Sequence, residues 1–421
     1  MKTMLTSVLM AVLMLLSASS CDNNVDGIKD KDKELANLPK PLNINLVGEE
    51  VAMVESDQAF AFDFFAKVFN EELKGKDPNF MVSPFSLSMA LAMTWNGSAG
   101  DTKTAIQNTL GFGKWKDDEV NAYFKKLKGA FEKTDPSTQL AIANSIWTNK
   151  DVKILPKFIS LNQTYYNATV EAVDFGNPAT VGRINKWASD NTKGLINDVL
   201  DETGTDDLMY LLNALYFKGI WASKFDAKNT SKMDFAGSKT KVDMMHQEAD
   251  FSYADDATMQ VVELPYGNKA FSMMVLLPKQ DKKLSDVVQA LQSKNYWSNL
   301  KSKMRDVEVD LYLPKFKTEY SKKLNDVLID MGMGVAFEAG KADFSRMSDR
   351  EAFISFVTQD TYIATDEVGT EAAAVTVVGV KLTSAPATPE KVTFKADRPF
   401  VYLIQEKSSG SVLFMGAVKK F

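Results

Sequence analysis

His246 is the one histidine of this 421-residue chain and Cys21 its one cysteine. The side chains that most often carry acid–base and nucleophilic chemistry are therefore nearly absent. Nucleophilic catalysis needs a Ser or Cys beside a base that is itself oriented. His246 lies in Met244-Met245-His246-Gln247 among apolar neighbours and reads as a packed histidine. Cys21 ends an N-terminal apolar run, and no Gly-x-Ser-x-Gly turn occurs. No His/Cys set has metal-ligand spacing, and no glycine loop of the phosphate-binding kind is present. Sequence leaves carboxylate catalysis open, but nothing points to it. The expectation is a protein that is not an enzyme and that takes no metal or cofactor.

The unusual stretch is Asp366 to Arg398. It opens Asp366-Glu367-Val368-Gly369-Thr370-Glu371, passes through Ala372-Ala373-Ala374-Val375-Thr376-Val377-Val378, and ends in a tail rich in Ser, Thr, Ala and Pro. Structureless loops longer than about 12–15 residues are uncommon in compact domains and tend to be functional or disordered. Strand side chains alternate between faces. That alternation puts Thr370, Ala372, Ala374, Thr376 and Val378 on one small, uncharged face. Glu371, Ala373, Val375 and Val377 fall on the other. The run could live as an exposed loop or enter a sheet as a strand. Taken by itself it is also an edge strand followed by a linker.

Glu367-x-Gly369-Thr370-Glu371-Ala372-Ala373-Ala374-x-Thr376 resembles the hinge of the serpins, a family of protease inhibitors, and the similarity extends along nearly all of the chain after its N-terminal segment. The resemblance implies an α+β fold of three β-sheets surrounded by about eight or nine helices, with an exposed reactive loop near the C-terminus over about 366–398. It also implies roles. Ser83 and Ser86, in Asn79-Phe80-Met81-Val82-Ser83-Pro84-Phe85-Ser86, resemble the serines of the shutter, where two strands of the main sheet must part. Asn213, in Leu211 to Trp221, would sit there as well. Trp221 would cover the breach, where the loop first enters. The family often has a histidine in the strand before the loop; here Gln359 stands at that position. An amide can both donate and accept, so the hydrogen-bonding role can survive the change.

Composition bounds the rest. A formal net charge of −6 argues against nucleic acid as the main partner, which needs clustered Lys and Arg. Lys125, Lys126 and Lys128 read as a solvated helix face. An apolar fraction of 45% suits a substantial core. Residues 1–20 look like a bacterial lipoprotein signal: Lys2, an apolar run Met4 to Leu16, then small residues before Cys21, the expected lipidation site. The usual Leu three places before the cysteine is replaced by Ala18, so ordinary secretion is the alternative. One cysteine permits no intrachain disulfide. Residues 21–50, with the charge run Lys29-Asp30-Lys31-Asp32-Lys33-Glu34, read as a flexible tether, and 51–421 as one domain.

Periodicity places the elements that must hold the hinge. Ser56-Asp57 suits a helix start before the stripe Phe60, Phe64, Phe65, Val68 and Phe69. Pro84 suits the first turn of a buried helix. Leu140 to Trp147 alternates as a strand, Val181 to Leu200 reads as a helix, and Ser321 to Met331 as a helix stopped by Gly332. Val261 to Tyr266 and Phe271 to Pro278 form a hairpin around Gly267-Asn268-Lys269. Phe353 to Thr365 is expected as the strand beside which the loop inserts.

The resemblance implies suicide inhibition. A target protease would cut the loop as substrate, and the hinge would insert into the main sheet before the acyl link hydrolyses. Counting about seventeen residues from Glu367 gives the bond Thr383-Ser384. Lys381 would suit trypsin-like proteases and Leu382 chymotrypsin-like ones. The partners implied are serine proteases, with cysteine proteases in reach, held covalently by a monomer that touches membrane only through its anchor. The other reading is a binding or adhesion lipoprotein that inhibits nothing. Either way the product is exported, to the bacterial cell envelope or beyond it.

Overall fold

The computed structural model describes residues 35, 37–194, 196–205, 207–370 and 390–421. Nine α-helices and fifteen strands lie among them. The chain first gives α1 (Glu49–Lys74), β1 (Phe80–Val82), α2 (Pro84–Gly97), α3 (Gly100–Thr109), α4 (Asp117–Thr134) and β2 (Gln139–Asn149). Next come α5 (Pro156–Tyr166), β3 (Thr169–Val173), α6 (Ala179–Asn191), β4 (Met209–Ile220), β5 (Ser231–Met233), β6 (Val242–Asp255), β7 (Met259–Pro265) and β8 (Phe271–Pro278). The last third holds α7 (Leu284–Leu291), α8 (Tyr296–Lys301), β9 (Arg305–Pro314), β10 (Phe316–Lys323), α9 (Asn325–Leu328), β11 (Phe356–Thr365), β12 (Gly369–Thr370), β13 (Lys391–Lys395), β14 (Phe400–Glu406) and β15 (Val412–Val418).

The α+β class is as expected. Hydrogen bonding joins the described strands into two sheets, one in the order β10-β11-β12-β4-β2-β3, the other β1-β15-β14-β8-β7-β6-β9-β13 with β5 on β6. The three sheets anticipated become two because β6 is continuous. It pairs with β5 at Val242 to Met244 and with β7 at Ser252 to Asp255, which links what would otherwise be separate ladders.

Helix α2 carries the core. Every residue from Pro84 to Gly97 is buried, as a helix apolar on all sides must be. Pro84 occupies its first turn and Ser83 caps it, the hydroxyl accepting from the Ser86 N–H at 3.4 Å. The hairpin β7–β8 and strand β2 lie where periodicity puts them. Lys126 of the lysine trio pairs with Glu50, Lys128 with Glu132, and Lys125 lies over the Tyr165 ring.

Three boundaries differ from expectation, each through a long-range contact. Helix α1 begins at Glu49, where Glu49 and Glu50 favour a first turn, so Asp57 is not a cap. Asp57 is buried and accepts the Ser88 hydroxyl at 2.6 Å and the Tyr123 hydroxyl at 2.5 Å. Helix α6 stops at Asn191, since Lys193 (φ 56°) and Gly194 (φ 81°) turn left-handed. Asn185 then takes the N–H groups of Val199 and Leu200, holding that segment outside the helix. Ser321 to Lys323 belong to β10, paired with β11, and only Asn325 to Leu328 are α-helical before Gly332 turns at φ 105°.

Pro39 to Glu50, expected as part of a flexible tether over 21–50, are held against the domain. Asn268 donates to the Pro39 carbonyl, Leu42 N–H reaches the Thr134 hydroxyl at 3.1 Å, and Ile44 N–H the Ser408 hydroxyl at 2.9 Å. Ile44 itself is buried. These residues strap α4 to the β14–β15 turn.

Candidate functional site

Strands β4 and β11 are parallel neighbours in the lower half of the six-stranded sheet, from Phe356 opposite Tyr210 to Asp360 opposite Ala214. Above that point their pairing ends. At the top, β12 enters between them as a two-residue strand antiparallel to both: Thr370 faces Thr365 on one side and Gly219 on the other, and Gly369 faces Ile220. Gly369 and Thr370, the expected start of the hinge, are thus already seated in the main sheet.

Close packing holds it there. A Cβ on Gly369 would lie 2.1 Å from the Gly219 carbonyl oxygen, so only glycine fits that approach. A Cβ on Gly219 would lie 2.7 Å from the Tyr266 ring. Tyr266, fully buried, stacks on Trp221 with ring centroids 4.4 Å apart, and its hydroxyl meets the Thr370 hydroxyl at 2.6 Å. Burial pushes the Tyr266 phenol far above its ordinary value, against the opposing Thr370 bond, so it stays neutral. Trp221 closes the top of the cleft. Its indole N–H donates to the Asp366 carbonyl at 2.9 Å and its backbone N–H to the Val368 carbonyl at 2.8 Å.

Two carboxylates at this turn shift in opposite directions. Burial pushes the Asp366 carboxyl up, against the Val368 and Gly369 N–H groups that donate to it at 2.8 and 3.2 Å. Burial also acts to raise Glu367, but the Lys315 ammonium at 2.6 Å and the Thr230 hydroxyl at 2.7 Å outweigh it and hold the group below its usual range.

Lower down, Ser83, Ser86, Asn213 and Gln359 meet in one buried network. Gln359 donates to the Asn213 side-chain oxygen and to the Ser83 carbonyl, both at 2.9 Å, and accepts the Ser83 N–H at 2.7 Å. Asn213 donates to the Ser86 hydroxyl and, at 2.5 Å, to the Asn144 side-chain oxygen. The Ser83 hydroxyl donates to the Leu413 carbonyl at 2.6 Å, tying the helix start to β15. Gln359 and Asn213 face each other across the paired half of β11 and β4, so their bond latches the two strands together just below the cleft.

An exposed loop over 366–398 is the expectation, and the described residues at both of its ends are not exposed loop. Glu367 and Thr370 are buried, and Lys391 to Lys395 form β13 on β9. The remaining hinge positions Glu371, Ala372, Ala373, Ala374 and Thr376, the bond candidates Lys381, Leu382, Thr383 and Ser384, and Cys21 all lie outside the described residues. Sequence reading missed Tyr266, Thr230, Lys315 and Asn144. Tyr266 stands at a strand end in the hairpin and meets Thr370 across 104 positions, a separation that carries no local signal.

Comparison with known proteins agrees with this geometry. The family model described as serpin (serine protease inhibitor) matches residues 55–420. The leukocyte elastase inhibitor of Xenopus laevis is 37% identical over 375 residues, covering 85% of this chain and 96% of that one. An uncharacterized serpin-like protein of Thermococcus kodakarensis is 34% identical over 375 residues, 88% of this chain and 86% of the relative. Among solved structures, the thermophilic serpin tengpin in its native state has a TM-score of 0.81 at 28% identity, over 92% of this chain and 98% of that one. Human thyroxine-binding globulin with bound hormone gives 0.79 at 28% identity, over 88% and 99%. With a cleft that admits a short strand at its mouth and a family match over residues 55–420, the chain belongs to the serpins.

Proposed function

We propose that this chain traps its target protease as a suicide pseudo-substrate. The observation that carries the proposal is the seating of Gly369 and Thr370 between β11 and β4. Continuing the same antiparallel register would set Ala372 opposite Ile363 and Phe217, and Thr376 opposite Gln359 and Asn213. The small, uncharged face of the alanine run would then turn toward the buried side that Thr370 already occupies.

The chemistry is acyl transfer interrupted. The protease nucleophile adds to the carbonyl carbon of one loop residue, the peptide C–N bond breaks, and the following residue leaves as a free amine carrying the proton. Lys381 and Thr383 are the favoured acyl donors, with Leu382 behind them. The released hinge then zips downward between β11 and β4, gaining ladder hydrogen bonds, and must break the Gln359–Asn213 latch to finish. Insertion carries the acylated protease along and distorts it before water can act. The starting fold is therefore a kinetically held state. The protein has no catalytic residue of its own in this scheme. Lipidation at Cys21 would place the monomer in the bacterial cell envelope, its domain reached through the residues before Pro39.

Mixing the protein with trypsin-like, chymotrypsin-like and elastase-like proteases tests the proposal. At least one should form a complex that survives boiling in detergent, and N-terminal sequencing of the released fragment identifies the bond. Thr370→Arg places a charge on the buried face and should convert the inhibitor into a cleaved substrate. Undiminished trapping by that variant would overturn the insertion step.

A further inference from the structure

We propose that His246, Glu248 and Asp310 form a binding site for a divalent transition-metal cation of the zinc type. Their ligand atoms all lie within 4.8 Å of one another on one face where β6 and β9 pair. His246 and Glu248 are two residues apart on β6, and Glu248 faces Asp310 directly across the ladder. Sequence spacing could not reveal this set, because Asp310 is 64 positions from His246.

The imidazole is pre-positioned. It stacks on Tyr312 with centroids 4.4 Å apart, and Nε2 already points at Asp310 Oδ1 at 2.8 Å. One nitrogen and two carboxylates leave a fourth position for water, a donor set suited to zinc rather than to calcium, which takes oxygens. All three side chains are partly exposed, so a cation can reach them.

The local charge already attracts a cation. Lys391 of β13 places its ammonium 3.0 Å from Glu248 and 3.6 Å from Glu308. Asp250 lies opposite Glu308 on the same ladder. Among the described residues of this face, the carboxylates Glu248, Asp250, Glu308 and Asp310 outnumber the ammonium groups of Lys391 and Lys395. A bound metal would take Glu248 from Lys391 and leave that ammonium to Glu308. The Thr393 hydroxyl, 3.5 Å from the second Asp310 oxygen, would steady the carboxylate as it turned.

The test is calorimetric titration of Zn²⁺ into the full chain carrying Cys21→Ser, which removes its one thiol. One cation should bind per chain, and Co²⁺ should bind with the visible absorption of a low-symmetry site. His246→Gln should weaken Zn²⁺ binding by more than about 100-fold, beyond the cost of losing an outer-shell partner. Lys391→Ala should tighten it about 2–5-fold by removing the competing ammonium. Metal-free melting curves would establish that each variant is folded. Equal Zn²⁺ affinity in His246→Gln and the parent, or no binding of a single cation, would overturn the site. Unchanged affinity in Lys391→Ala would overturn its placement between Glu248 and Asp310.

Discussion

Gly369 and Gly219 show how little room the top of the cleft leaves. The Cβ contact at 2.1 Å would be with backbone, which cannot rotate away as a side chain can. Gly369→Ala should therefore unseat β12. Overpacking of this kind costs about 1–3 kcal/mol, readable as a lower urea midpoint with unchanged slope. Limited proteolysis should then cut near Asp366 to Thr370 faster than in the parent, where Glu367 and Thr370 are buried. At this scale much of the site was legible. Ser83, Ser86, Asn213, Trp221 and Thr370 stand in recognisable phrases, and the structure brings the first three together with Gln359. Tyr266 and Lys315 were not legible, because a residue's partner across a sheet leaves no trace in its neighbours along the chain.

At the scale of elements, the sequence reveals those set by their own periodicity and conceals those set by contacts. Helix α2 and the β7–β8 hairpin follow from Pro84, the buried apolar run and the Gly267 turn. The start of α1 does not, because Asp57 looks like a cap and is instead a buried acceptor between α2 and α4. That role has a pH signature. Burial pushes the Asp57 carboxyl up to about 6, against the opposing Ser88 and Tyr123 hydroxyls. Asp360 on β11 is likewise pushed up to about 6, chiefly by burial. A raised carboxyl is protonated in the native state where the unfolded chain is ionised. Its stabilisation is complete below about pH 4 and is lost as pH rises through about 6. For Asp57 the loss corresponds to about 3 kcal/mol. In Asp57→Asn the fall in unfolding free energy between pH 4 and pH 7, followed by urea titration, should shrink by about that amount. An unchanged pH profile would show that the carboxyl is not buried as described.

For the whole molecule, the proposed mechanism requires that the parted strands β4 and β11 leave the intact chain with pairing still to gain. Cutting the loop with a catalytic amount of a protease it does not trap should raise the melting temperature by about 10 °C or more, the order of shift that roughly 5 kcal/mol produces in a sizeable domain. Intact and nicked material can be compared by scanning calorimetry. No helix among the described residues is long and apolar enough to cross a membrane.

The two seated residues stopper only the mouth of the cleft. Beneath them, among the described residues, Thr361 to Ala364 and positions 215 to 218 present backbone edges to each other with no strand between. Such edges do not distinguish a hinge of the same copy from one offered by a neighbour. If the alanine run inserts as proposed, crowded copies would concatenate, each lodging that run in the next, and the useful life of an anchored inhibitor would be bounded by how densely a surface is populated with it.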